Sequence, residues 1–307
     1  MSGTRPIIIW RANLFLLLAA AIWGFGFAAQ REGMKDATPM AFNAARHLVG
    51  FAVLAPFVFL RKPKARLPVD GTSGSAWRAG LFAGTAMFAG AAFQQMGLVH
   101  TTAGSAAFVT GLYVVIVPLL ALFWGKRPPK SLWFASGLAF VGLYLLSGAQ
   151  GLALQKGDFL VFLGAFAWAA HVLIIGAFSG KVDVMRLAAT QLLVCAILSA
   201  IAAAFMETID WAGLWRARGP ILYLGVFSIG LGFTFQILGQ RRANATAAAI
   251  IMSLESVFGA LAGWIWLGEI LDSKGLIGCA LMLIGMTLAQ FPAPLRKRGA
   301  KAEGQRA

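Results

Sequence analysis

Long runs of apolar residues, each close to the length of a membrane-crossing helix, follow one another along the whole chain. A bilayer core about 30 Å thick requires about 20 residues of α-helix. Strands of a membrane barrel would instead show short segments of alternating hydrophobicity. The pattern therefore predicts an all-α membrane protein with ten transmembrane helices. The predicted spans are 13–30, 40–60, 79–99, 104–124, 132–147, 159–178, 185–206, 221–240, 246–267 and 276–291.

The pattern of apolar and polar positions also repeats itself about halfway along the chain. Trp23 recurs as Trp168 after 145 positions, and Gln94 recurs as Gln236 after 142 positions. Each copy holds five predicted spans, so the second copy enters the membrane in the opposite orientation. Inverted repeats of this kind form a central site that can open to either side of a bilayer. We expect two inverted five-helix repeats, residues 1–150 and residues 151–307, the second with a cytoplasmic tail.

Composition agrees with a membrane location. Hydrophobic residues make up 59% of the 307 residues, charged residues make up 12%, and the mean hydropathy is +0.78. A soluble domain is nearer half apolar and a quarter charged. So large an apolar fraction cannot be buried inside a soluble protein of this size, and lipid is the expected solvent.

The net charge of +15 does not indicate nucleic-acid binding, because the basic residues lie at the ends of the spans and not on one soluble face. Nineteen of the 26 Lys and Arg residues fall on the side of both termini, six fall on the other side, and Arg46 lies inside a span. Cytoplasmic loops carry an excess of Lys and Arg. Both termini are therefore expected in the cytoplasm and the protein in the inner membrane.

Glu255 is the most informative polar residue, because it lies near the middle of the ninth predicted span. A charge at that depth is expensive unless it is paired or neutralised. We interpret Glu255 either as a proton-coupling or amine-binding group, or as a structural partner of Arg46 or of a neighbouring hydroxyl. Arg46 itself either forms that ion pair or binds a carboxylate or phosphate of the substrate.

Several other residues have positions suited to a cavity wall. Trp23 and Trp168 hold matching places in spans one and six, and His171 shares a face with Trp168 three residues away. Glutamine side chains donate and accept hydrogen bonds, which suits zwitterionic or polyol substrates, although contacts between helices explain them equally well. The residues expected to bind substrate are Trp23, Gln94, Thr110, Tyr113, Trp168, His171, Gln236 and Glu255.

No pattern typical of an enzyme or of a cofactor site occurs in the sequence. A Walker loop is absent, which argues against direct ATP drive, and so are Cys/His metal spacings and a Gly-x-Ser-x-Gly elbow. Cys195 and Cys279 lie within spans, where they are expected to be small buried hydrophobes. No cofactor and no metal are expected.

Two stretches carry a resemblance to a known family. They are Thr101–Tyr113, TTAGSAAFVTGLY, and Leu254–Phe258, LESVF, which is followed by Leu267–Glu269. They resemble the drug/metabolite transporter superfamily and, more closely, its EamA-type ten-helix exporters, over roughly residues 12–291. The resemblance implies a carrier with helices one to four and six to nine around a cavity, and with helices five and ten at the periphery.

Members of that superfamily commonly move amino acids, other small metabolites, nucleotide-related compounds or drugs outward. This chain departs from the family pattern at Ser256, where a Pro often follows the Glu, and at Gly125–Arg127, where a Glu often stands. We expect an exporter of amino acids or related metabolites that works by alternating access in the bilayer, with protons as a candidate coupling ion. The alternatives are a membrane-embedded lipid-modifying enzyme and a passive solute channel.

Overall fold

The computed structural model describes residues 4–60, 73–148, 156–267 and 272–290, and the regular structure within them is entirely helical. The predicted cytoplasmic tail and the predicted boundary between the repeats lie outside the described residues. The helices are α1 Thr4–Gly33, α2 Pro39–Phe59, α3 Ser73–Leu98, α4 Ala103–Gly111, α5 Tyr113–Phe123, α6 Lys130–Gly148, α7 Lys156–Phe178, α8 Val184–Met206, α9 Trp211–Arg216, α10 Arg218–Tyr223, α11 Phe233–Gln240, α12 Ala245–Met252, α13 Glu255–Leu267 and α14 Ser273–Gln290. A π-helical segment, Leu224–Gly232, joins α10 to α11.

The described part of the chain contains seven helical segments that are long and apolar enough to cross a membrane. They involve α1, α2, α4 with α5, α7, α8, α10 with α11, and α12 with α13. The helices α6 and α14 are shorter and also apolar, and α3 is 26 residues long. The prediction of an all-α membrane protein is confirmed, and each predicted run is mainly helical in its described residues. That all ten cross the bilayer stays a prediction.

Helix starts are set by local side chains that cap free backbone N–H groups. The side chain of Thr102 accepts a hydrogen bond from the Ser105 amide at the start of α4, and Asn244 accepts one from the Ala247 amide at the start of α12. Such caps satisfy amides that have no partner within the helix. Thr102 and Asn244 are 142 positions apart, so the internal repeat includes the residues that cap these two helices.

The packing of helices is the same when the two halves are exchanged. The pair α3 and α7 corresponds to α1 with α11, and the pair α1 and α13 corresponds to α7 with α4 and α5. The helix α2 packs on α8, and α6 packs on α14, so these pairs map onto themselves. A two-fold relation between the halves would produce this set of contacts. At the α6–α14 pair, a Cβ at Gly142 would lie 2.5 Å from the carbonyl oxygen of Gly278, and the reverse also holds.

Two helical breaks fall at repeat-related positions. The helix α4 ends at Gly111 and α5 begins at Tyr113, whereas α12 ends at Met252 and α13 begins at Glu255. Backbone hydrogen bonds of the tighter i to i+3 kind occur at both breaks. Each break therefore places the first residue of a new helix, Tyr113 or Glu255, in the interior of the helix assembly, where both are buried.

Candidate functional site

A cavity with an empty volume of about 580 Å³ lies between the two halves of the chain. The wall is formed by α1 to α5 of the first half and by α7, the π-helical segment and α11 to α13 of the second half. All nine residues singled out in the sequence lie on it, namely Trp23, Arg46, Gln94, Thr110, Tyr113, Trp168, His171, Gln236 and Glu255. Whether they bind a substrate stays a prediction.

The cavity lies in the interior of the helix assembly. Its wall residues on α1 belong to the C-terminal half of that helix, and those on α2 belong to the N-terminal half. Toward the N-terminal end of α1, apolar side chains that include Leu16, Val117 and Ala248 form one buried cluster. Further apolar clusters, around Phe42 and Met40, lie at the end that holds the start of α2, so close apolar packing borders the cavity on both sides.

Aromatic rings form the middle of the cavity wall. The ring of Phe233 stacks on Trp168 with centroids 5.8 Å apart, and lies 4.9 Å from the ring of Trp23 and 5.6 Å from that of His171. The Trp23 Nε1 donates a hydrogen bond of 3.1 Å to the backbone oxygen of Ser228 in the π-helical segment. Aromatic pairs of this geometry contribute about 0.5–1.5 kcal/mol of stability beyond the burial of their area, so these rings form a well-packed apolar surface.

Arg46 lies in the cavity wall without an acidic partner among the described residues. Its Nε and Nη2 donate to Oδ1 of Asn43 at 2.9 and 2.6 Å, and its Nη1 donates to Oε1 of Gln30 at 2.9 Å. The ion pairs of the described chain all involve exposed side chains. The predicted ion pair between Arg46 and Glu255 is therefore wrong, because neutral amide oxygens on α1 and α2 lie closer to the guanidinium.

His47 follows Arg46 on α2 and also lines the cavity. Its Nδ1 lies 2.7 Å from the backbone oxygen of Asn43. A carbonyl oxygen only accepts, so Nδ1 carries the proton and Nε2 of the neutral ring is an acceptor. Asn43 thus orients Arg46 and His47, and its own Nδ2 donates to the backbone oxygen of Ala91 on α3 at 3.1 Å.

Glu255 is the first residue of α13 and is 4% exposed. The N-terminus of a helix carries partial positive charge, which stabilises a carboxylate. Tyr113, the repeat-related residue, lies near enough for its hydroxyl to interact electrostatically with Glu255. Neither the Tyr113 hydroxyl nor the Glu255 Oε1 has a hydrogen-bond partner within 3.5 Å among the described residues.

Neutral hydrogen bonds hold two further predicted residues. The Gln94 Nε2 donates to Oγ1 of Thr110 at 2.9 Å, which joins α3 to α4. The His171 Nε2 lies 3.0 Å from Oε1 of Gln191 on α8. Gln191 is the repeat counterpart of Arg46, so the matching place in the second half holds a neutral pair and no charge.

Several buried polar atoms on this wall have no hydrogen-bond partner. Most buried polar side-chain atoms in proteins have one, and leaving one without a partner costs about 1–3 kcal/mol. Six of the fourteen such atoms in the described part of the chain belong to cavity-lining residues, where a ligand or solvent can reach them. They are Nε2 of His47, the hydroxyl of Tyr113, Nε1 of Trp168, Nδ1 of His171, Oε1 of Gln236 and Oε1 of Glu255.

Several wall residues are additional to the predicted set. Gln30 and His47 are polar residues inside predicted spans, and that position could have identified them as candidates. Phe233 is one of 24 phenylalanines, and nothing in the sequence distinguishes it from the others. The additional residues are Phe27, Gln30, His47, Val172, Ser228, Ile229, Phe233 and Met252.

Known proteins resemble this chain over nearly its whole length. A transporter from Archaeoglobus fulgidus of unassigned substrate is 30% identical over 91% of this chain and 86% of its own length. The transporter YwfM of Bacillus subtilis is 27% identical over 94% of this chain and 97% of its own. A probable terminal-alkyne amino-acid exporter of Streptantibioticus cattleyicolor is 25% identical over 95% and 97%.

A solved crystal structure shares the fold, with a TM-score of 0.71, 20% identity, and coverage of 91% of this chain and 96% of the other. The model of the EamA-like transporter family matches residues 10–148 and again residues 155–290. The two matches cover each predicted repeat in turn. The chain belongs to the EamA-like transporter family.

Proposed function

We propose that this protein is a secondary transporter that exports amino acids or related small metabolites by alternating access. The observation that carries the proposal is the set of unpartnered buried polar atoms around a cavity shared by both halves. Eight further unpartnered atoms among the described residues lie away from the cavity, but those on its wall are within reach of a solute. A site that a solute enters and leaves needs them free for the solute.

Alternating access is supported by the exchange symmetry of the helix contacts. In an inverted repeat, the two halves can swap conformations, so a chamber open at one end becomes a chamber open at the other. The described cavity lies between the two halves, with apolar packing toward both ends of the helix assembly. We place both termini in the cytoplasm of a cell with an inner membrane, on the basis of the distribution of Lys and Arg.

The chemistry of the wall favours an amino acid. Arg46 offers hydrogen-bond donors to an anion, whereas Nε2 of His47, Oε1 of Gln236 and Oε1 of Glu255 offer acceptors to an ammonium group. The aromatic surface between them suits an apolar side chain. The amino-acid exporter of Streptantibioticus cattleyicolor supports the same substrate class. We assign Glu255 the role of proton-coupling group.

Proteoliposomes loaded with radiolabelled amino acids or nucleosides, with and without a pH gradient, test the proposal. We expect saturable efflux and counterflow of at least one amino acid. Trp168→Leu removes the stacking partner of Phe233 and should reduce that flux, while Trp133→Leu, on α6 and away from the cavity, should not. The absence of saturable flux for every solute, or a conductance that never saturates, would contradict a carrier.

A further inference from the structure

Arg46 has hydrogen-bonding capacity left over after its contacts with the protein. A guanidinium carries five N–H groups, and three hydrogen bonds to described residues use one on Nε, one on Nη1 and one on Nη2. One N–H on each terminal nitrogen remains, and each can donate to a carboxylate oxygen. Arg46 is 3% exposed and lines the cavity, so this pair is available to a solute there.

His47 presents the complementary group beside it. The contact with the backbone oxygen of Asn43 fixes the proton on Nδ1 and leaves Nε2 as a buried acceptor with no partner in the described chain. Arg46 and His47 are both held by Asn43, through its side chain and its backbone oxygen respectively. Free N–H donors and a single acceptor therefore stand at successive positions of α2, and both residues line the cavity.

The fold does not require this pair. The positions of the second half that match Arg46, His47 and Asn43 hold Gln191, Leu192 and Ala188, on the helix that packs against α2. The repeated architecture forms there without a guanidinium or an imidazole. The polar cluster of α2 is therefore an addition to one half, which fits a role in binding.

His47 is the acceptor next to Arg46 along α2, whereas Glu255 lies on α13. The backbone oxygen of Glu255 lies against Gly24 of α1, and Arg46 is bonded to Gln30, six residues further along the same helix. Six helical residues span about 9 Å. Because an α-amino acid carries its carboxylate and ammonium on one carbon, we expect the acceptor for the ammonium beside Arg46, on α2.

We infer that Arg46 and His47 bind the head group of an α-amino acid: Arg46 donates to the α-carboxylate, and Nε2 of His47 accepts from the α-ammonium. The side chain of the solute then lies toward the aromatic surface around Phe233. Asn43 and Gln30 act as positioning residues for Arg46. This assignment rests on the proposed transport function and specifies how its site recognises the solute.

Binding to the purified full-length protein tests the inference with matched ligands. The probes are phenylalanine, leucine, methionine and tryptophan, each compared with its decarboxylated amine and with its desamino acid. We expect the best-bound amino acid to bind at least tenfold more tightly than either analogue, since a hydrogen bond to a charged group contributes about 1.5–3 kcal/mol and 1.4 kcal/mol is tenfold. Equal binding of the three forms, or no binding of any amino acid, would overturn the head-group site.

Variants assign the two groups separately. Arg46→Gln should weaken amino-acid binding at least tenfold and leave the amine analogue within threefold. His47→Leu should weaken amino-acid binding and leave the desamino acid within threefold. Arg241→Gln, which removes an exposed guanidinium near the end of α11, is the control and should change nothing. A uniform loss for all three ligands in both variants would mean a structural role and would overturn the inference.

A second variant and a transport measurement distinguish a misfolded variant, a wrong head-group site and a wrong proposed function. If Arg46→Gln fails to fold, Arg46→Lys keeps the charge but not the bidentate geometry, and it should lose part of the amino-acid affinity and none of the amine affinity. Saturable transport that does not distinguish an amino acid from its analogues lacking the carboxylate or the ammonium group would overturn this inference alone. The absence of transport of any solute would instead overturn the proposed function.

Discussion

Glu255→Gln is the substitution that tests proton coupling most directly. The two side chains have nearly the same shape, so the volume of the cavity is preserved, but glutamine cannot release or bind a proton near pH 7. Among the described residues that line the cavity, Glu255 carries the one carboxylate. A coupling mechanism that uses this group therefore moves one proton for each solute.

The expected magnitude follows from that stoichiometry. One pH unit corresponds to 1.36 kcal/mol for each proton, which is about a tenfold ratio of solute concentration at equilibrium. Proteoliposomes with a lumen one unit more acidic than the medium should therefore accumulate the solute up to about tenfold when protons leave as solute enters. This limit does not depend on the orientation of the protein, since it is thermodynamic.

The assay measures the plateau of accumulation at several pH gradients, with the membrane potential clamped by potassium and valinomycin. Glu255→Gln should level off at equal concentrations inside and outside, whereas counterflow exchange across the same vesicles continues. Thr287→Val, at an exposed hydroxyl of α14, provides a control that should behave as the unchanged protein. The same dependence on the pH gradient in Glu255→Gln would refute the coupling role.

Further predictions concern stability and the helix ends. Glu207 accepts hydrogen bonds from two backbone amides at the start of α2, so Glu207→Ala should lower the free energy of unfolding by about 1–3 kcal/mol, measured by chemical denaturation in detergent, and Glu207→Gln by less. Gly142→Ala should separate α6 from α14 and cost about 1–3 kcal/mol, while Gly137→Ala, where the added Cβ meets nothing within 4 Å, should be neutral in the same assay. The nearby backbone N–H of Gly213 lowers the pKa of Asp210 at the start of α9. This stabilisation is present above the ordinary carboxyl pKa and is lost as the pH falls through the lowered pKa, so amide exchange in α9 should rise in acid, and Asp210→Asn should abolish that rise.

The sequence predicted residues of the candidate site well where the same residue type recurs at matching positions of the two halves. Trp23 and Trp168 recur at one spacing and Gln94 and Gln236 at another, and the structure brings all four to one wall. A polar side chain in a membrane helix rarely faces lipid, because lipid offers it no hydrogen-bond partner. The same logic could not locate Phe233, whose repeat counterpart is an alanine.

The contacts of Arg46 show the limit of sequence reasoning. The sequence indicates that a buried guanidinium needs partners, and a carboxylate was the obvious candidate. Asn43, three residues earlier on the same helix, could have been named from helical spacing. Gln30 could not, because its contact depends on how α1 packs against α2. The π-helical segment was missed for a related reason, since its hydrogen-bond pattern is set by tertiary packing and not by apolar periodicity.

The central claim is that one cavity opens to each side of the membrane in turn, and the accessibility of a single cysteine in the cavity measures this directly. Cys195 and Cys279 would be replaced by alanine, and Ser228, a buried cavity residue in the π-helical segment, by cysteine. A membrane-impermeant thiol reagent would then be applied to vesicles of both orientations. The account predicts labelling from either side, with a transported solute changing the two rates in opposite directions. Labelling from one side alone under every condition would contradict it.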